Sequence, residues 1–221
     1  MNYLELCQRV RLECAISGSG PAAVTGQVGV YSKLVNWVND AWREIQLDKT
    51  QWLFMWGEFT FDTIINTPDT TTTGLTVRDF TREPLVIYHK ATGLDDKGFI
   101  PYLKYKDWYA RYGASHVPAG RPQVWTVLPN GALRLTPKPD GEYVVIGNGH
   151  LKPQTLINNA DIPILPEEYH LAIMWLACSK WFADQEAGQR QQDMMNNYLS
   201  IKDELLRDQL PTMDWGYQPL S

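Results

Sequence analysis

Four histidines, three cysteines and a scatter of carboxylates are the side chains of this 221-residue chain that could hold a metal, attack a carbonyl or move a proton. Their spacing argues against each use. His89, His116, His150 and His170 form no HxH or HxxxH pair. Glu167 and His170 make a single ExxH at a helix start, whereas a carboxylate-bridged metal pair needs two such copies and further glutamates. His170 therefore reads as a partly buried, hydrogen-bonding residue. Cys7, Cys14 and Cys178 have neither metal-ligand spacing nor the even number of a disulfide framework. Cys7 and Cys14 lie a heptad apart on one helical face, which suits buried thiols in a reducing cytoplasm. Asp95 and Asp96 precede Lys97 and Gly98 in a turn-like stretch and read as solvated loop carboxylates. No strand leads into the Gly18-Ser19-Gly20 run and Pro21 follows it, so it is not a phosphate loop. GxSxG, P-loop and HExxH motifs are absent from the sequence. The expectation is a protein that is not an enzyme, with no catalytic residues, no metal and no cofactor.

Two aromatic constellations remain. Tyr102, Tyr105, Trp108, Tyr109 and Tyr112 crowd the stretch Ile100 to Tyr112. The last four fall at i, i+3, i+4 and i+7, the spacing of one helical face laid on a sheet. A sugar-binding aromatic platform is the sharper alternative. The second constellation is terminal. From Arg207 to Ser221, Pro211, Gly216 and Pro219 oppose a helix, yet the stretch carries Leu210, Met213, Trp215, Tyr217 and Leu220. A solvated terminus is usually polar. This one reads as an extended arm built to lie in a groove, on its own domain or on another subunit.

The elements that position these residues run helical, then β-rich, then helical. Tyr3, Cys7, Val10 and Cys14 repeat at helical spacing, and Ser17 to Pro21 stops that helix. A second helix is expected from Gly29 towards Trp52, with Leu34, Trp37, Val38, Ala41 and Ile45 in its buried stripe and Trp42 widening it. From Gly57 the period changes to two over Glu58 to Ile65, followed by a polar Thr-rich loop and another strand at Leu85 to Tyr88. Turn signals at Pro129-Asn130-Gly131 and Pro139-Asp140-Gly141 separate Gln123–Leu128, Ala132–Thr136 and Glu142–Gly147, the pattern of an antiparallel meander. The helical period returns at Pro166, read as a first-turn residue with Glu167 and Glu168 at the positive helix start. The run Leu171 to Cys178, including Ile173, Leu176 and Ala177, is apolar on nearly every side and must be surrounded. A last helix spans roughly Gln189 to Leu206. The fold class is α+β: a helical bundle from both chain ends (1–56 and 153–206), an inserted antiparallel β-rich domain (57–152) and an extended C-terminal arm (207–221).

Composition narrows the partners. A net charge of −5 and the lack of a dense Lys/Arg run argue against a dedicated nucleic-acid binder. Nine Trp and eleven Tyr are a heavy load of rings that favour cores and interfaces. The longest apolar run falls far short of the roughly twenty residues that cross a bilayer. The expectation is a soluble chain made in the cytoplasm, with no membrane partner.

The opening Met1 to Ala22 resembles that of the head-to-tail adaptor (connector) proteins of tailed bacteriophages. Thr25-Gly26-Gln27-Val28-Gly29, the block Val35 to Gln46 and the later block Asp161 to His170 resemble them too. The β insert resembles theirs only in general shape. The resemblance implies a structural virion protein of the neck. It implies a homo-oligomeric ring, usually a dodecamer, below the portal protein, which extends the DNA channel and offers a platform to a tail or nozzle protein. The arm Leu210, Pro211, Met213, Trp215, Tyr217 and Leu220 would dock into the portal, and the stripe residues of the two long helices would pack the bundle and its neighbours. DNA would pass without sequence-specific binding. The rival reading is a carbohydrate-binding or tail-fibre-like module using the aromatic β region.

Overall fold

A computed structural model describes residues 1–70 and 77–211. The chain divides into two units, Met1–Met55 with Pro153–Ser221, and Trp56–Lys152. Among the described residues there are five α-helices and antiparallel sheets of five and three strands.

The first unit is helical. Helix α1 (Tyr3–Glu13) starts with a capping box in which Asn2 and Glu5 satisfy each other's backbone N–H. It buries Tyr3, Leu6, Cys7 and Val10. It ends earlier than the Ser-Gly run suggests. Ala15 takes a left-handed φ of 51°, Ala15 N–H bonds Leu12 O, and Ile16 N–H bonds Arg11 O. That is a Schellman ending with alanine where glycine is usual. Helix α2 (Gly29–Asp48) also stops short of Trp52. The chain turns back, and the buried Trp52 indole donates to the Ile45 carbonyl at 2.9 Å, one of the acceptors a helix end leaves open.

Helix α4 (His170–Asp184) follows a 3-10 turn at Glu167–Tyr169, so Pro166 stands just before that turn rather than in the first turn of the α-helix. It closes on a second Schellman ending at Glu186, φ 54°. Helix α5 (Gly188–Gln209) runs three residues beyond Leu206. Helices α1, α2, α4 and α5 share one apolar core, and α4 lies against the other three. Ion pairs Lys33–Asp184 (3.0 Å), Lys180–Glu44 (2.6 Å) and Lys202–Asp48 (3.0 Å) cross between helices at their edges.

The second unit holds the short helix α3 (Tyr105–Tyr112) and strands β1 (Trp56–Asp62), β2 (Asp69–Thr70), β3 (Val77–Phe80), β4 (Leu85–His89), β5 (Gly98–Ile100), β6 (Val124–Val127), β7 (Leu133–Thr136) and β8 (Tyr143–Leu151). Its larger sheet is organised on β8. One edge of β8 takes β1, from Trp56 opposite His150 to Asp62 opposite Val144. The other edge takes β4 opposite residues 143–146 and β3 opposite 149–151, with β5 outside β4. The smaller sheet has the order β2-β7-β6.

The expected three-strand meander is therefore corrected. Its first two members form a hairpin, β6–β7, around Gly131 at φ 81°. The third, β8, crosses to the other sheet and extends to Leu151 rather than stopping at Gly147. Sterics explain why glycines sit inside that central strand. A Cβ on Gly147 would lie 2.2 Å from Leu85 Cδ2 and 2.7 Å from Phe59 Cζ, and one on Gly149 would lie 2.4 Å from Val77 Cγ1. The core of this unit packs Phe59 edge-on to Phe80, Phe80 edge-on to Trp125, and Trp125 against Tyr102.

Candidate functional site

The helical unit places the stripe residues where the 3.6-residue period puts them. Leu34, Val38, Ala41, Trp42 and Ile45 on α2, and Ile173, Leu176 and Ala177 on α4, are all buried in one core. Trp37 lies at its margin, half-buried, with its ring edge-on to Trp181 at 5.7 Å. The three thiols are buried in the same core. Burial pushes the Cys7 thiol up to about 12. Cys178 is raised by hydrogen bonding with Cys14 and then by burial. Neither is a ready nucleophile, since the thiolate is the reactive form. His170 is buried. Its Nε2 faces the Leu165 carbonyl at 2.9 Å, and its Nδ1 faces the Met1 nitrogen at 2.8 Å. An ammonium can only donate, so Nδ1 accepts and the ring is neutral with its proton on Nε2. Desolvation holds its pKa below the ordinary histidine value.

The segment between β8 and α4 is irregular but densely hydrogen-bonded by side chains. Gln46 of α2 binds Gln154 through both ends of its amide: Nε2 donates to Gln154 O at 2.9 Å, and Oε1 accepts from Gln154 N–H at 2.6 Å. Asn39, seven residues earlier, does the same to Leu156 at 2.7 and 3.1 Å. Two helical side chains thus play the part of a neighbouring strand. The Gln154 side chain then repeats the pattern, donating to Ile162 O and accepting from Ile164 N–H. Asp161 closes the loop by accepting from the N–H groups of Ile157 and Asn158, bonds that hold its carboxyl below the usual range. In return, the loop's Asp161 and Asn159 carbonyls accept from Tyr3 and Leu4 at the start of α1.

This clamped segment turns Leu156, Pro163 and Leu165 inward. It leaves Ile157 63%, Ile162 59% and Ile164 38% exposed. Three exposed isoleucines thus sit on a loop whose backbone is held by six side-chain amide bonds. Sequence reasoning missed the clamp. The signal available was Gln46 itself, a polar residue directly beside Ile45 in the buried stripe.

Of the arm, α5 takes Arg207 to Gln209 as helix, so the non-helical stretch begins at Leu210 rather than Arg207. Leu210 is extended and packs half-buried on the helical core, and Pro211 is exposed. Met213, Trp215, Tyr217 and Leu220 lie outside the described residues.

In the β unit, α3 forms over the expected stretch but only Trp108 is buried, at 6% exposure, while Tyr109 is 60% exposed. The Trp108 indole donates to Thr136 Oγ1 at 2.8 Å. Tyr105 stacks on its ring at 5.9 Å, and the Arg134 guanidinium lies over it at 5.2 Å. A ring so covered is spent on structure. Among the described residues, no group of three or more His, Cys, Asp or Glu is placed to hold a metal ion, and no helix is long and apolar enough to cross a membrane.

A layout of two helical ends around a β unit agrees with a likeness that runs almost the length of the chain: residues 1–217 match the family described as SU10 adaptor protein. The chain belongs to the SU10 adaptor protein family. This is a family of phage head-to-tail adaptors, and its members are structural components of the phage. No curated protein matches the chain. For an adaptor, the features that matter are those that meet other proteins. In this SU10-type adaptor the exposed Ile157, Ile162 and Ile164, the start of the arm at Leu210 and the exposed Tyr109 of α3 lie at or near the surface.

Proposed function

We propose that this adaptor forms a ring, twelve-fold in the usual arrangement, beneath the portal at the capsid vertex. There it extends the DNA channel and presents a platform to a tail or nozzle protein. The observation that carries the reading is the family match over residues 1–217. A bundle built from both chain ends, 1–55 and 153–209, is the body of each subunit. The arm from Leu210 through Pro211, Met213, Trp215, Tyr217 and Leu220 docks into the portal, each deeply buried anchor contributing about 1.5–3 kcal/mol before ordering costs. A ring contact is head-to-tail, so it joins two different patches of the subunit. The exposed Ile157, Ile162 and Ile164 are suited to one of them. The net charge of −5 suits a channel past which DNA slides without sequence-specific binding. The function is binding and channel geometry in the virion neck, not catalysis.

The experiment is size-exclusion with light scattering, or cryo-EM, on the protein mixed with its portal, full length against a deletion of Leu210–Ser221. A ring capping the portal, lost on deletion, is the expected result. Association that survives the deletion removes the arm from the interface. No association in either form defeats the adaptor reading itself.

A further inference from the structure

We propose that the cleft between α3 and β7 is a receptor for a carboxylate side chain, an Asp or Glu borne on an extended acidic peptide segment of a partner protein. The proposal rests on the adaptor reading in one respect: the β unit must meet a protein.

The cleft lies where β7 runs past the start of β2. β2 pairs Asp69 with Arg134 and Thr70 with Leu133, and the Pro68 carbonyl still accepts from Leu135 N–H at 2.8 Å. Past Leu135 no described strand continues on that edge of β7, while β6 pairs the other edge as far as Thr136. A hollow of about 320 Å³ opens there, walled by Trp108 and Tyr112 of α3 and by Thr136 and Lys138 of the β7 end. That volume is at the lower end of ligand-sized sites, enough for a side chain and its peptide.

Charge decides what fits. Arg134 is already committed, bound to Asp69 by two bonds of 2.5 Å and laid over the Trp108 ring. Lys138, half-buried, has no carboxylate partner among the described residues, and no acidic side chain lines the hollow. The Thr136 hydroxyl, having accepted the Trp108 N–H, retains a proton to donate. A lysine and a hydroxyl donor beside an aromatic wall match a carboxylate on an apolar stem. The hollow along β5 makes the contrast. It carries Asp95 and Asp96 beside Lys97 and Arg121, with Arg121 bound to Asp96 at 2.6 Å, and so needs no charged guest.

Other anions fit less well. A nucleic-acid strand requires a track of phosphate contacts, and one available lysine is not a track. A sugar is best fixed by carboxylates or side-chain amides, which the lining lacks; its side-chain acceptors are the Tyr112, Ser115 and Thr136 hydroxyls and the His116 ring.

The test is saturation-transfer NMR on the full-length protein, observing blocked peptides acetyl-Gly-Glu-Tyr-Gly-amide and acetyl-Gly-Gln-Tyr-Gly-amide. The method works whatever the oligomeric state. The Glu peptide should receive saturation and the Gln peptide about tenfold less, the value of one charge-assisted bond. Lys138→Ala should abolish the preference and Lys138→Arg retain it. Arg121→Ala, in the neutral hollow, should leave it unchanged. Equal transfer to both peptides, or preference surviving Lys138→Ala, overturns the proposal. So does an acidic oligosaccharide such as a galacturonate trimer displacing the Glu peptide at equal concentration. Failure here leaves portal association, measured separately, untouched.

Discussion

Gln46 and Gln154 are joined as two strands would be, except that one partner is a side chain: the amide of Gln46 exchanges both hydrogen bonds with the backbone of Gln154, at 2.9 and 2.6 Å. Gln154 passes the same pairing on to Ile162 and Ile164. An irregular segment of chain is thereby given the hydrogen-bond order of a sheet.

Replacing Gln46 with leucine keeps the apolar stripe of α2 but leaves one backbone N–H and one C=O of Gln154 without protein partners. The expected cost is about 1–3 kcal/mol, since Gln154 is half-buried and water restores part of the loss. Hydrogen exchange should show faster exchange at Gln154 and Ile164 while the amides of α4 keep their protection. Unchanged exchange at both positions would mean the clamp is redundant.

Ala15 and Glu186 both hold left-handed φ values, 51° and 54°, at the C-terminal endings of α1 and α4. A side chain there costs about 1–2 kcal/mol that glycine does not. Gly at such a position also loses more backbone entropy on folding, so the net gain is smaller. Ala15→Gly and Glu186→Gly should each raise Tm by a few degrees, and the double variant should be nearly additive. A fall in Tm for both would show that the strain is relieved by contacts of Cβ.

His170 is kept neutral mainly by burial, with its folded pKa below the ordinary value near 6.5. Between those two pKa values the unfolded chain binds more protons than the folded one. Its contribution to stability is therefore present above about pH 6.5 and is lost as pH falls from there towards the folded pKa. Melting curves between pH 7.5 and 5.5 should show Tm declining on acidification, with a shallower decline for His170→Asn. Parallel slopes in the two proteins would remove His170 from the account.

What was legible in the sequence was what is periodic. The stripe from Leu34 to Ile45 and the all-round apolar run from Leu171 to Cys178 can be read as helix and as core, because burial follows the 3.6-residue repeat. Helix ends were less legible. Ala15 and Glu186 carry no glycine signal, and Trp52 continues the apolar pattern of α2 while turning back to cap it. The destination of β8 was hidden by Pro139-Asp140-Gly141, which imitates a hairpin turn but leads to a different sheet. The strand read as Glu142–Gly147 runs on to Leu151, and Gly147 inside it is required by Phe59 and Leu85 closing over it. Gln46 in the buried stripe hinted at a clamp but not at its target: Asn39 and Gln46 find their partners 117 and 108 residues away, and no local pattern encodes that distance. The reserve of cation at Lys138 was equally hidden, since only the fold reveals that Asp69 is consumed by Arg134.

The pairing of Trp56 with His150 has one more implication. The first and last strands of the β unit are neighbours, so the chain enters and leaves that unit along two adjacent strands. To the helices, nearly a hundred residues of β structure are topologically equivalent to a tight turn. Such a unit behaves as a cassette. Its length is therefore uncoupled from the path of the helical chain, because both of its connections run through one pair of adjacent strands.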